Sequence, residues 1–170
     1  MSLTMYQASV PVFVTNLRNL AEILRKAVLH AEAKKIDPSV LTQARLYPDM
    51  LPLTRQVHLA TDQAKNSSSR LSGADRPTFE DDETSFDELQ ARIAKTIAYL
   101  ETLTPAQFEG SDDKDITLPV RGKDATMKGA SYLLGFVHPN FYFHLTTAYA
   151  ILRESGVEIG KLDFLGPLPV

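Results

Sequence analysis

From Val12 onward the apolar residues Phe13, Leu17, Leu20, Leu24, Ala27, Val28 and Ala31 return at helical spacing, while Arg18, Asn19, Glu22, Arg25 and Lys26 fill the other face. This predicts a long first helix, with Pro11 in its first turn and the Lys34-Lys35 pair at its C-terminal end, where a cation suits the helix dipole. Asp37-Pro38 reads as a cap and first helical position, opening a short turn through about Ala44. Pro48 and Pro52 then interrupt the chain before a second long helix from about Leu53 to Leu71, ended by Gly73. Its apolar face carries Leu53, Val57, Ala60, Thr61, Ala64, Ser68 and Leu71. The acidic stretch Ala74 to Glu83 contains Pro77 and reads as a loop. Thr84 or Ser85 caps a third helix, with a carboxylate three residues on completing a capping box. Phe86, Leu89, Ile93, Ile97, Leu100 and Leu103 form its core stripe, which leaves Glu88, Gln90, Arg92, Lys95 and Glu101 to solvent. Thr104-Pro105 starts a further short turn ending at Gly110.

Past Ser111 the period changes. Ile116, Leu118 and Val120 alternate with polar residues, and Arg121-Gly122-Lys123-Asp124 supplies turn chemistry, so a small β-hairpin is expected, with an irregular loop as the alternative. A fourth helical region runs from about Gly129 to Glu154 and is closed by Gly156. Pro139 removes one backbone bond inside it, which predicts a kink or a fresh start near His138. The tail, with Ile159, Leu162, Phe164, Leu165 and Leu168 among Gly and Pro, is too broken for a long helix and is expected to pack across the others. The fold class expected is all-α: one antiparallel four-helix-bundle domain with short extra helical turns and a small β-hairpin before the last helix.

Composition narrows the setting. A chain of 170 residues, 44% apolar and 23% charged, has the length of one domain and no long uncharged run, so a soluble protein with no membrane span is expected. A net charge of −3 supplies no general basic field, which argues against nucleic acid as a partner. The absence of cysteine excludes disulfides, thiolate metal sites and a cysteine nucleophile. The start MSLTMYQASV has neither a basic segment nor a continuous apolar one, so a cytoplasmic location is expected. No phosphate-binding glycine loop, HExxH pair or GxSxG elbow occurs.

The candidate chemistry is histidine chemistry. With Val137 at the centre of the fourth helix's apolar arc, His144 lies about 20° from it and Asn140 about 60° from it on the same side, whereas His138 is about 100° away on the opposite flank. His144 therefore points inward and needs polar partners. On the second helix His58 lies about 100° from Val57, at the border of the apolar stripe, with Asp62 one turn on. These four residues, His58, Asp62, Asn140 and His144, make a candidate pocket between helices two and four, with His58 and His144 as candidate metal ligands and Asp62 in either shell. The plainer alternative is an inward histidine bonded to a tyrosine or a carbonyl, with His30 and His138 titrating in solvent. Two histidines and an amide are a weak divalent site, because catalytic zinc sites hold three histidine or carboxylate ligands. Tyr142, Phe143 and Tyr149 leave the inward arc. They are either a surface for a homodimer or residues covered by the tail.

The runs Met5 to Phe13, Leu51 to Val57 and Glu88 to Thr96, with Pro139-Asn140-Phe141-Tyr142-Phe143-His144 and the Thr-Thr-Ala-Tyr that follows, resemble an uncharacterised bacterial domain-of-unknown-function family of the DinB/YfiT-like superfamily. The resemblance covers nearly the whole chain. It implies an antiparallel four-helix bundle with a long crossover, often dimeric, and a divalent metal, nickel or zinc, held by one histidine of helix two and an H-x-x-x-H pair of helix four. His58 and His144 match two of those positions, and Asn140 stands where the first histidine of the pair would be. The function so implied is a metal-dependent transferase or hydrolase; the alternative is a non-catalytic module that binds a small-molecule ligand or a partner and has lost the metal.

Overall fold

The computed structural model describes residues 3–120 and 122–167. Helix α1 (Val10–Lys34) starts with Pro11 in its first turn and stops where Lys35 turns left-handed, its N–H donating to Ala31 and Glu32 carbonyls. Helix α2 (Pro38–Thr42) is capped by Asp37, whose carboxylate accepts from the Ser39 N–H at 2.9 Å. Helix α3 (Leu53–Ser72) ends at Gly73, at φ +75°, a conformation that costs glycine nothing. Helix α4 (Phe86–Glu101) opens with a complete capping box between Ser85 and Glu88. The backbone N–H groups of Thr84 and Ser85 converge on the Glu88 carboxylate and hold its pKa at about 2.

A 3₁₀ turn (Pro105–Phe108) leads to strands β1 (Asp115–Val120) and β2 (Lys123–Lys128), an antiparallel hairpin with Asp115 opposite Lys128 and Val120 opposite Lys123. Ile116 and Leu118 are buried, as their alternation requires. Helix α5 (Gly129–Tyr132) follows at once. Only glycine fits at 129, since a Cβ there would stand 1.8 Å from the Ser111 carbonyl oxygen. The interruption expected near His138 takes the form of a π turn (Leu133–Val137) between α5 and helix α6 (His138–Glu154). The wider turn accommodates the backbone just before Pro139, which cannot donate to the residue one turn back. Helix α7 (Lys161–Leu165) closes the described chain.

The chain is thus mostly helical with one two-stranded hairpin. Helix α3 packs against α6 on one side and α4 on another, and α1 packs against α4, α6 and α7. Phe13, Leu17 and Leu24 of α1, Val57 and Ala60 of α3, Leu89 and Ile93 of α4, and Phe141 and Leu152 of α6 are all buried in one apolar cluster. Phe13 meets Phe141 edge to face at 4.9 Å. Among the described residues no helix is long and apolar enough to cross a membrane.

Three polar residues expected on the surface are not there. Asn19 lies beneath α7 and donates to the Phe164 and Leu165 carbonyls, so the tail, which helical periodicity ignores, buries it. His138 is half-buried, and its Nε2 stands 2.9 Å from the Ala8 carbonyl oxygen. Arg92 is only 2% exposed. It sits about 100° from Ile93 on the wheel, at the edge of the stripe, and residues 73–85 fold over that edge.

Candidate functional site

Arg55, His58, Asp62 and Lys65 follow one another by steps of three, four and three along α3, so they share one face. That face receives Arg92 from α4 and the acidic strap of residues 73–85. A guanidinium has five N–H donors, and Arg92 directs them at five acceptor groups of α3 and the strap, four of them in hydrogen bonds. Its Nε donates to Thr61 Oγ1 at 2.8 Å; Nη1 donates to the Glu80 carbonyl at 3.0 Å and to Glu83 at 3.1 Å; Nη2 donates to Asp62 at 3.0 Å and forms an ion pair with Asp81 at 3.1 Å. Lys65 donates to the Pro77 carbonyl at 2.9 Å and lies 4.7 Å from the centre of the Phe79 ring. Burial holds the Lys65 pKa below its ordinary value, against the pull of Asp62.

His58 stands at the inner edge of this network. Arg55 Nη1 is 3.1 Å from its Nδ1 and also donates to Asp81 at 2.8 Å. Because arginine can only donate, Nδ1 must accept, and the neutral ring carries its proton on Nε2. Nε2 has Glu83 Oε2 at 2.9 Å but out of line with the N–H, so the contact is close without being a hydrogen bond and leaves Nε2 buried and unpaired. Burial, and after it the charge of Arg92, holds His58 below the usual imidazole value despite Glu83 and Asp81. Burial raises the Asp81 carboxyl, but the Arg55 hydrogen bond and the Arg92 charge outweigh it and leave its pKa lowered.

The second centre lies between α3 and α6. His144 Nδ1 is 2.8 Å from Gln56 Oε1, and the Gln56 amide donates to the Leu51 carbonyl at 3.0 Å, which identifies Oε1 as the acceptor. His144 therefore carries its proton on Nδ1, and its Nε2 keeps a lone pair with no protein partner among the described residues. Burial holds its pKa below the ordinary value. Asn140, one turn earlier, donates to the Phe136 carbonyl of its own helix at 2.6 Å.

Gln56 and His58 are two residues apart, so their side chains leave α3 about 200° apart. The two histidines accordingly share no hydrogen-bond partner: His58 goes with Glu83 and Arg55, and His144 with Gln56. Asp62 stays on the His58 side, bonded to Arg92, and Asn140 stays with its own helix backbone.

The sequence profile of the family described as Domain of unknown function (DUF1993) matches residues 5–165. The chain belongs to this family. It is also DinB-like: a solved structure of a DinB family member from Shewanella denitrificans is 41% identical, covers 98% of this chain and 94% of its own, and superposes with a TM-score of 0.93. No curated protein matches.

Among the described residues of this DUF1993 chain, the group that could hold a metal ion is His58 with Asp81 and Glu83, whose ligand atoms lie within 4.8 Å of one another. One imidazole and two carboxylates form a donor set that suits a divalent transition metal, and the unpaired Nε2 of His58 points to a ligand. Two features oppose a metal in this arrangement. A metal on Nε2 requires the proton on Nδ1, where Arg55 donates. The charges are also already balanced, with Arg55, Lys65 and Arg92 set against Asp62, Asp81 and Glu83. The arrangement of Arg55 and Arg92 around the cluster therefore does not fit a bound metal.

Arg92, Asp81 and Glu83, with Gln56 as the partner of His144, are the residues that sequence reasoning missed. One signal was available: a dense acidic run immediately before a helix whose stripe is flanked by an arginine, with Arg55 and Lys65 in line on the helix before. Opposite charges on adjacent segments meet when the loop is short enough to fold back.

Proposed function

We propose that this protein is a cytoplasmic, DinB-like antiparallel four-helix bundle that binds a small ligand without a resident metal. The observation that carries the reading is Arg92, which supplies the positive charge for Asp62, Asp81 and Glu83 from a buried position. A divalent ion added to this balanced set would be uncompensated and buried, which is unfavourable. The ligand surface in this reading is the α6 side, where His144 Nε2 and the Asn140 side-chain oxygen, one turn apart, accept hydrogen bonds from an incoming amine, amide or hydroxyl. The test is the metal content of untagged protein, with calorimetric titration of Ni²⁺ and Zn²⁺. Sub-stoichiometric uptake is expected, and one tightly held ion per chain would sink the reading.

A second reading keeps the family-implied chemistry: a metal-dependent hydrolase or transferase with the ion on His58, Asp81 and Glu83. The unpaired His58 Nε2 favours it. It needs Arg55 and Arg92 to withdraw first, so it predicts metal uptake only together with a change in the strap. For assembly we propose a homodimer through the outer face of α6, where Tyr142 and Phe143 are exposed beside Leu46. Scattering mass in solution decides this, and a monomer mass at high concentration rules it out.

A further inference from the structure

We propose that the Arg92 guanidinium is the resident cation of the His58, Asp81 and Glu83 cluster, and that a divalent metal and this guanidinium exclude one another there. The proposal rests on the metal-free reading above and adds the group that keeps the metal out.

The two cations would compete for the same atoms. Asp81 Oδ1 is 3.1 Å from Arg92 Nη2, and both Glu83 oxygens are 3.1 Å from Nη1, so a metal using either carboxylate must take oxygens that Arg92 now holds. The guanidinium is planar and its donors diverge at fixed angles, and the partners are arranged to suit it: Thr61 of α3 on Nε, the strap's Glu80 carbonyl and Glu83 on Nη1, Asp62 and Asp81 on Nη2. A divalent transition metal held on His58, Asp81 and Glu83 would leave the Thr61 hydroxyl and the Glu80 carbonyl without the donor that Arg92 now supplies.

Access is not what excludes the metal. A hollow of about 320 Å³ opens beside the cluster and is lined by Glu83, Arg92 and Lys95, so small ions reach the carboxylates from solvent. Exclusion is therefore a matter of binding equilibrium, and it should reverse when the guanidinium is removed. Arg92→Ala leaves His58, Asp81 and Glu83 around a vacated space of about guanidinium size, with Arg55, partly exposed at the rim, able to turn aside from Nδ1.

The experiment titrates Zn²⁺ alone into untagged wild type, Arg92→Ala, Arg92→Lys and the double variant Arg92→Ala/Glu83→Gln, reading stoichiometry by native mass spectrometry and the Zn²⁺-dependent change in Tm. The expected result is one Zn²⁺ per chain in Arg92→Ala, bound at least about tenfold more tightly than by wild type, as losing or gaining a metal-site partner generally produces. That gain should vanish in the double variant and in Arg92→Lys, which keeps the charge. The Tm arm covers a variant too unstable to fold alone, because a metal that binds the folded state raises Tm wherever it starts. An Arg92→Ala protein with neither stoichiometric Zn²⁺ nor a Zn²⁺-dependent Tm overturns the proposal, while a metal-free wild type leaves the functional reading standing. A wild type that itself holds one Zn²⁺ sinks that reading, and the proposal falls with it unless Arg92→Ala binds more tightly still.

Discussion

Helix α3 has two polar faces that solve the same problem in opposite ways. On one, Arg55, His58, Asp62 and Lys65 meet Arg92 and the strap's Asp81 and Glu83, and every formal charge has an opposite partner. On the other, Gln56 meets His144 through a neutral hydrogen bond, and among the described residues the outer nitrogen of His144 has no protein partner. The charged face is balanced within itself, with Arg55, Lys65 and Arg92 set against Asp62, Asp81 and Glu83. The neutral face keeps a lone pair available, held in orientation by an amide. Counting titratable residues misses this difference, because a histidine nitrogen is left unpaired in both settings: His58 Nε2 among balanced charges and His144 Nε2 beside a neutral amide.

Removing Arg92 is the strongest way to break this contrast. In Arg92→Leu, Asp62, Asp81 and Glu83 lose their shared counter-charge, and stripping one partner from a buried ion network costs about 3–5 kcal/mol. The lower end, about 3 kcal/mol, is expected here because the Asp62 and Asp81 side chains keep 29% and 40% exposure and water screens part of the loss. Urea unfolding with unchanged slope measures it; a loss below about 1 kcal/mol would show that the network is ornamental. On the neutral face the same operation is milder. Gln56→Leu removes the acceptor of His144 and the donor to Leu51, and leaving such groups unpaired costs about 1–3 kcal/mol, read in the same unfolding experiment.

The two faces also differ in how far the sequence discloses them. Helix α3 itself, its stop at Gly73 and the Ser85 cap follow from local chemistry, and so does the hairpin, where Ile116 and Leu118 alternate inward. The inward turn of His144 follows from the 3.6-residue period. Its partner does not, because the wheel leaves open whether Gln56 or His58 faces α6, and the answer depends on how α3 is rotated against two neighbours at once. Arg92 was hidden for a different reason. Periodicity sorts a helix into core and solvent sides, and it has no place for a residue at the border that becomes buried when an irregular strap closes over it. Asp81 and Glu83 belong to that strap, whose path is set by the cations beneath rather than by any repeat. Asn19 under α7 is the same case on a smaller scale.

Acid should act on the neutral histidines in a defined direction. His138 and His144 both titrate below the ordinary 6.5 because burial disfavours the imidazolium, in His138 against a small opposing effect of the Ala8 carbonyl. His138 also has a buried Nδ1 with no partner, so a proton there would gain no acceptor. With folded pKa values below the unfolded one, the unfolded chain binds protons first as pH falls. Their contribution is thus complete above about pH 6.5 and declines below it, and Asp81, lowered as well, adds to the decline at more acid pH. Tm should be flat from neutral to mildly basic pH and fall on acidification, with histidine ring proton resonances titrating below 6.5. A Tm that rises between pH 7 and pH 5.5 would contradict the burial of both rings.

The smallest expected effect sharpens the comparison most economically. Arg18 of α1 pairs with Glu101 of α4 at 2.6 Å, a shorter contact than any Arg92 makes, yet the two side chains are 62% and 51% exposed. Distance alone would rank this pair above the network. Exposure reverses the ranking, since water and salt screen the attraction and fixing two long side chains in one geometry opposes it. Arg18→Ala should therefore change stability by no more than about 0.5 kcal/mol, and that residue should disappear in high salt. The network around Arg92 should keep most of its contribution under the same salt, because salt screens contacts of a buried guanidinium much less than those between exposed side chains. If the two substitutions cost the same at low salt and fade together, burial is not what distinguishes the charged face of α3, and the Arg92 cluster is a surface ion pair that happens to lie under a loop.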